Sequence, residues 1–251
     1  MISTCTPTNY VCGQTFSAYP PALHTGSVIC ANTIPSLSSN ALRRIEGSNS
    51  DGTIFEGCIV AGPRNITTSS GETHPCDGTN DGAYPTPGTT PTDQPDAAAA
   101  MLDSFSHDGL YSGSFSDFDI TSIRATADSD EALWALLVDF AFVYDGSCTT
   151  EVGNGDATLF AFNPGKSSYM LKVEPEYAVV AAGSTLSLTI TGFGGDDGDP
   201  GTLIAGASIA GLTSDVNGNV AFTAPTVPGC YQYKATYSHS IGSNAFYLTV
   251  V

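Results

Sequence analysis

Basic residues are scarce in this chain: 7 Lys and Arg stand against 25 Asp and Glu over 251 residues, a formal charge of −18. That charge repels phosphate backbones and anionic lipid, which excludes nucleic acid and bare membrane surfaces as partners. No run of about 20 apolar residues occurs, so no membrane-spanning helix is expected. The paired CxxC or CxxH spacing of a zinc site is missing. So are the GxSxG elbow, the HExxH helix, the P-loop and the dinucleotide glycine fingerprint. The four histidines, His24, His74, His107 and His239, fall in separate segments. No catalytic set, metal site or cofactor is therefore expected, and the chain reads as a non-enzyme. Met1-Ile-Ser-Thr-Cys-Thr-Pro7 has neither a basic n-region nor an apolar h-region, which reads as a processed or truncated secreted chain.

Charged residues make up only 13% of the chain, so its surface must be built largely from Ser, Thr, Asn and Gly. That is the composition of extracellular β-proteins. Seven cysteines, with 27 Gly and 15 Pro, point to disulfides and an oxidising compartment. The odd count leaves at least one cysteine free, bonded to another chain, or partnered outside this sequence.

The patterning predicts a mainly β protein with one helix. Residues 1–38 are rich in Thr, Pro and Ser, hold three cysteines, and read as an extended N-terminal arm. Segments 41–46 and 53–61 flank a turn-rich stretch and read as a hairpin. Residues 62–95 read as one long polar loop, tethered through Cys76. Asp96 is the expected N-cap of a helix running to Phe105. Strands are expected over 115–123, 132–144 and 157–162, the last after an Asn154-Gly155-Asp156 turn. The run 132–144 holds the only tryptophan, is apolar on both faces at period two, and reads as a central strand covered on both sides. Its one interruption, Asp139, then needs a buried partner such as Arg124, Arg43 or Arg44. From residue 169 the pattern changes to short strands at regular spacing, with a hairpin turn at Asn217-Gly218, which argues for an immunoglobulin-like β-sandwich. The domains are therefore expected at 39–164 and 165–251, joined near Asn163-Pro-Gly-Lys-Ser167.

Several residues invite a chemical role. His107-Asp108 has no nucleophile motif to serve and reads as a histidine at a helix C-terminus, favoured there by the dipole. Gly195-Asp-Asp-Gly-Asp-Pro-Gly201 and the trio Asp215, Asn217 and Asn219 resemble calcium loops. Both lack the glycine at position six and the glutamate at position twelve, so turn chemistry is expected. Asn65-Ile66-Thr67 is an N-glycosylation sequon expected on a surface loop, with Asn65 the glycan acceptor. Thr86-Pro-Gly-Thr-Thr-Pro-Thr92 resembles an O-glycosylated spacer.

Taken in order, Asp96–Leu102, Phe115-Ser-Asp-Phe-Asp-Ile-Thr-Ser-Ile123, Trp134-Ala-Leu-Leu-Val-Asp139, Gly146-Ser-Cys148 and Gly155-Asp-Ala-Thr-Leu-Phe160 resemble the transcobalamin-like C-terminal domain. That domain is a small α+β unit of uncharacterised function in secreted bacterial and fungal proteins. Arg44-Ile-Glu-Gly47, Thr53-Ile-Phe-Glu56 and Cys76-Asp-Gly-Thr-Asn80 resemble its leading segment. Asp215–Val220 and Ser243-Asn-Ala-Phe246 resemble the immunoglobulin-like domain attached to it. The resemblance covers residues 40–251 and implies that Cys76 pairs with Cys148. The pairing of Cys5, Cys12, Cys30, Cys58 and Cys230 stays open. The vitamin-binding relatives hold cobalamin between this domain and a helical barrel; no such barrel occurs here, and no cobalamin is expected.

Two functional expectations result. One is an extracellular structural or adhesive protein, a self-assembling filament subunit whose N-terminal arm adds a strand to a neighbouring copy. The other is a secreted module binding a carbohydrate or small ligand in a pocket at Phe115, Phe118 and Trp134.

Overall fold

A computed structural model describes residues 39–48, 51–79, 82–101, 105–153 and 156–251. The expected arm, residues 1–38, and the Asn154-Gly155 turn lie outside the described residues. The protein is mainly β with a single α-helix among the described residues. No described helix is long and apolar enough to cross a membrane.

The expected first hairpin is present as β1 (Ser39–Glu46) and β2 (Thr53–Ala61), antiparallel around a turn closed by a Gly47 N–H to Gly52 O bond of 2.8 Å. The region expected as one polar loop contains a second, short hairpin, β3 (Arg64–Thr67) and β4 (Thr73–Cys76). Its strands are polar because one face is open to solvent, and they are anchored by buried Ile66 and Cys76. Asn65 therefore sits on a strand rather than in a loop, with its side chain exposed.

The helix α1 (Asp93–Met101) starts upstream of the expected N-cap, so Asp96 lies inside its first turn and pairs with Arg64 at 2.6 Å. Two acids in the first turn suit the positive end of the helix dipole, Pro95 is tolerated there, and the alanine run has the best helix propensity. Ala97 and Ala98 press into a core shared with Ile45, Phe55, Ile123 and Phe160. Asp93 is fully buried; its Oδ2 accepts the Thr90 N–H at 2.8 Å, while Oδ1 has no partner. Burial pushes this carboxyl up to about 8, against the opposing pull of the Thr90 amide and Arg64. The folded state thus keeps a proton that the unfolded chain releases near its ordinary value of 3.8. The stability linked to Asp93 is full below about pH 4 and is lost as pH rises towards about 8, by up to ~1.4 kcal/mol per pH unit. Urea midpoints of the native chain and Asp93→Asn should diverge across that window, with the variant favoured at high pH; parallel profiles would contradict the assignment.

After the helix come β5 (His107–Ser112), β6 (Asp117–Ile123) and β7 (Thr126–Ala127), one antiparallel sheet. His107 is thus a strand residue, not a helix terminus. Phe115, expected in a strand, falls in the turn between β5 and β6.

The run 132–144 is not one strand. It forms β8 (Trp134–Val138) and β9 (Ala141–Phe142), reversed at Asp139-Phe140, whose φ values are +49° and +69°. Two successive positive φ values are what a two-residue hairpin turn matching strand twist requires. Asp139 is exposed at this turn, and its Oδ1 accepts the Ala157 N–H at 2.9 Å. It needs no arginine. With β10 (Ala157–Phe162) the sheet runs β2-β1-β10-β8-β9, parallel only between β1 and β10. The central strand is β10, and β8 lies one place from the edge.

Beyond a 3₁₀ turn at Pro164–Lys166 lie β11 (Tyr169–Glu174), β12 (Tyr177–Val180), β13 (Thr185–Phe193), β14 (Thr202–Leu203) and β15 (Ser208–Ile209). They are followed by β16 (Leu212–Thr213), β17 (Asn219–Thr223), β18 (Gly229–Thr236), β19 (Ser240–Ile241) and β20 (Ala245–Val250). One sheet runs β14-β13-β11-β19 with β17 beside β13, and the other runs β12-β20-β18-β15-β16. Both contribute to one core, which includes Leu171, Leu188 and Val220 from the first and Ile209, Ala235 and Phe246 from the second. The turn at Asn217-Gly218 joins β16 to β17 across the two sheets, so it is a crossover turn rather than the expected hairpin.

The sheet holding β10 and the sheets after it are fastened together. Leu137, Leu159 and Ala161 share a cluster with Met170, and the Phe142 N–H donates to Gly195 O at 2.8 Å. Beside them Lys234 Nζ donates to Glu46 Oε1 (2.6 Å), Thr53 Oγ1 (2.7 Å) and Glu56 Oε2 (3.0 Å). Glu56 Oε1 accepts the Ala245 N–H at 2.5 Å, and Arg44 Nε approaches Glu46 at 3.5 Å.

Candidate functional site

The turn that carries Phe115, strand β6, the β8/β9 hairpin and the segment 143–147 enclose a cavity of about 570 Å³. All three aromatics expected at a ligand pocket line it: Phe115, Phe118 and Trp134. Phe142, Tyr144 and Phe160 add three further rings, and Asp117, Asp119 and Asp145 supply carboxylates; among the described residues no Lys or Arg lines it.

Each ring is held differently. Trp134 is 6% exposed and wedged edge-on against Phe162, with centroids 5.4 Å apart. Its Nε1 donates to Thr126 O at 3.1 Å and its amide to Asp128 Oδ1 at 2.7 Å. The indole is therefore a fixed wall. Phe118 is buried against the Cys76–Cys148 disulfide and Ile66. Phe115 and Tyr144 stand outward, 76% and 85% exposed, as rings free to close on a ligand.

The disulfide joins residues 72 apart in sequence, with Cα atoms at 4.6 Å. It is the pairing that the sequence resemblance implies, and it pins the end of β4 to the cavity wall. Cys230 is also disulfide-bonded, and no described cysteine is free. On the same face of β4 as Cys76, His74 stacks on Tyr111 at 3.5 Å and meets Phe118 edge-on at 5.9 Å, which gives this histidine a packing role.

The acids divide by role. Asp117 accepts the Ser147 N–H on Oδ2 (2.8 Å) and the Cys148 N–H on Oδ1 (2.7 Å). Burial pushes its carboxyl above the ordinary range, opposed by the amides of Cys148, Phe118 and Ser147. Gly146 has φ +99°, and a Cβ there would run into Asp117 Oδ2; only glycine lets the Asp145-Gly-Ser-Cys148 turn close over that carboxylate. Ser147 Oγ then donates to Phe118 O at 2.9 Å and meets the Thr92 hydroxyl. Asp117 is thus a bracket that shapes the wall. Burial also pushes the Asp119 carboxyl upward.

The other sequence candidates go elsewhere. Burial pushes the His107 imidazole down against the pull of Asp96 and Asp108. Asp108 accepts the Ser69 N–H (3.0 Å) and Oγ–H (2.5 Å), so it does not orient His107 as a triad would. Asp199 accepts the amides of Gly194 (2.6 Å) and Gly201 (2.8 Å), which hold its carboxyl below the ordinary range. Asp215 Oδ1 accepts those of Asn217 and Asn219. Both loops thus show Asx-type turn bonding, and no group of three or more His, Cys, Asp and Glu among the described residues is arranged to hold a metal.

Reading by sequence missed Asp117, Phe142, Tyr144 and Gly146. One signal was present: acids and aromatics recur together in Phe115-Ser-Asp-Phe-Asp119 and Tyr144-Asp-Gly146. No protein-family model matches the chain, and no curated protein matches it.

Proposed function

We propose that the chain is an extracellular, non-enzymatic binding module that takes a neutral carbohydrate in the cavity beside Trp134. The observation that carries this reading is the lining itself: six aromatic rings and, besides the bracketed Asp117, the carboxyls of Asp119 and Asp145, with no cation among the described residues that line it. Sugar rings offer apolar C–H faces to aromatic side chains and hydroxyl donors to carboxylate acceptors, the mixed lining a polar ligand with an apolar face needs. Phosphorylated or acidic ligands would meet like charge there. Binding without hydrolysis is favoured because Asp117 commits both oxygens to backbone amides. Disulfides support the extracellular setting. The same reading assigns residues 39–164 to a transcobalamin-like unit and 165–251 to an immunoglobulin-like one, supported by the order of the motifs. The filament reading depends on residues 1–38, outside the described residues, and has no comparable feature behind it.

Calorimetric titration with neutral oligosaccharides tests the proposal. Phe115→Ala removes an exposed ring without touching the core, and its affinity should fall by about tenfold, the worth of a good stacking contact. Equal binding by the native chain and Phe115→Ala would rule the cavity out.

A further inference from the structure

A second cavity, of about 350 Å³, lies where β10 and the β8/β9 turn meet β11 and β13. Arg44, Phe140, Lys172, Glu176 and Phe193 line it. Arg44 is only 5% exposed. Its Nε faces Glu46 at 3.5 Å, its Nη1 donates to Leu171 O at 3.4 Å, and its guanidinium carbon lies 5.9 Å from the centre of the Phe140 ring. Its Nη2 is buried and has no acceptor. A buried charged donor left without a partner is costly, and native proteins seldom tolerate one. Beside it Phe140 stacks face to face on Phe193, with centroids 4.5 Å apart and planes inclined by 22°, a packed apolar pair in the cavity lining.

We infer that this cavity is a separate ligand site for a small organic carboxylate with a flat apolar body. The carboxylate accepts from Arg44 Nη2, Lys172 at the half-buried rim, already paired with Glu174 at 2.8 Å, adds a second positive charge, and the body lies against Phe140 and Phe193. Two acids also line the cavity: Asp139, whose Oδ1 accepts the Ala157 amide, and Glu176, whose carboxyl burial pushes above its ordinary range against the pull of Lys172 and Arg44. The site shares no lining residue with the cavity at Trp134, so either proposal can fail alone.

The test is titration of the full chain with phenylacetate and, as the uncharged counterpart, phenylacetamide, read by thermal stabilisation and by NMR shifts of Phe140 and Phe193. Saturable stabilisation by phenylacetate and none by the amide is expected. Loss of a charge-assisted hydrogen bond in Arg44→Gln should weaken phenylacetate by tenfold or more. Arg44 also faces Glu46, so that variant risks the fold. Lys172→Gln, at the rim, keeps the fold and should weaken binding roughly threefold. Equal binding of acid and amide, no binding of either, or an unchanged phenylacetate affinity in Lys172→Gln overturns the inference and leaves water as the partner of Nη2.

Discussion

Replacing Cys76 and Cys148 together by alanine is expected to destabilise the fold by about 4 kcal/mol, the loop-entropy value for a crosslink closing about 70 residues. The bond spans 72 positions, so its loss releases a large part of the unfolded chain from constraint. It also exposes a local weakness. The β3/β4 hairpin is short and polar and buries only Ile66 and Cys76 in a cluster with Phe118 and Cys148. A two-stranded hairpin of that kind is marginal without such an anchor. The loss should therefore appear first as faster hydrogen exchange over residues 64–76, and then as a lower urea midpoint. Phe118 rests on the disulfide and lines the cavity, so carbohydrate affinity should fall with it. A stability change under ~1 kcal/mol would show that this pair is incidental to the fold.

Lys234→Met is expected to cost about 3–5 kcal/mol, the penalty for leaving buried charges without their counter-charge. The Lys234 side chain is 8% exposed, and its ammonium is the common partner of Glu46 and Glu56. With it gone, Glu46 keeps Arg44 and the Thr53 hydroxyl, and Glu56 keeps the Ala245 amide. The unpaired carboxylates, rather than the lost packing, should dominate the cost. Adding Glu46→Gln and Glu56→Gln to Lys234→Met should then recover much of the loss, because the neutral amides no longer bury charge. Urea unfolding of the single and triple variants decides it. A triple variant no more stable than Lys234→Met would place the cost in packing instead.

The parts of this fold legible in the sequence are those that local pattern encodes. Short apolar stretches bounded by turn residues marked β1, β2 and β10, alternation at Leu186, Leu188 and Ile190 marked β13, and the alanine run marked α1. The β8/β9 reversal was hidden because Asp139-Phe140 turns through positive φ without glycine or asparagine, so the run's one interruption, Asp139, read as a buried acid rather than as a turn. The β3/β4 hairpin was hidden because its residues are loop-like in composition and depend on a distant cysteine for their anchor. The Lys234 cluster could not be read at all, since Lys234 and Glu46 are 188 positions apart. At the candidate site, Phe115, Phe118 and Trp134 were legible as aromatics set among sheet residues. That they share a cavity with Asp117, Phe142 and Tyr144 depends on the hairpin reversal, which swings Phe142 and Tyr144 back alongside Trp134.

The most direct measurement is intrinsic fluorescence of Trp134, the only tryptophan, during titration with neutral oligosaccharides of glucose, N-acetylglucosamine and xylose. Ligand entry against that buried indole should produce a saturable change in intensity with at least one of the three, at a midpoint that weakens in Phe115→Ala. A flat signal with all three, from a protein that unfolds cooperatively, would contradict carbohydrate binding at this cavity.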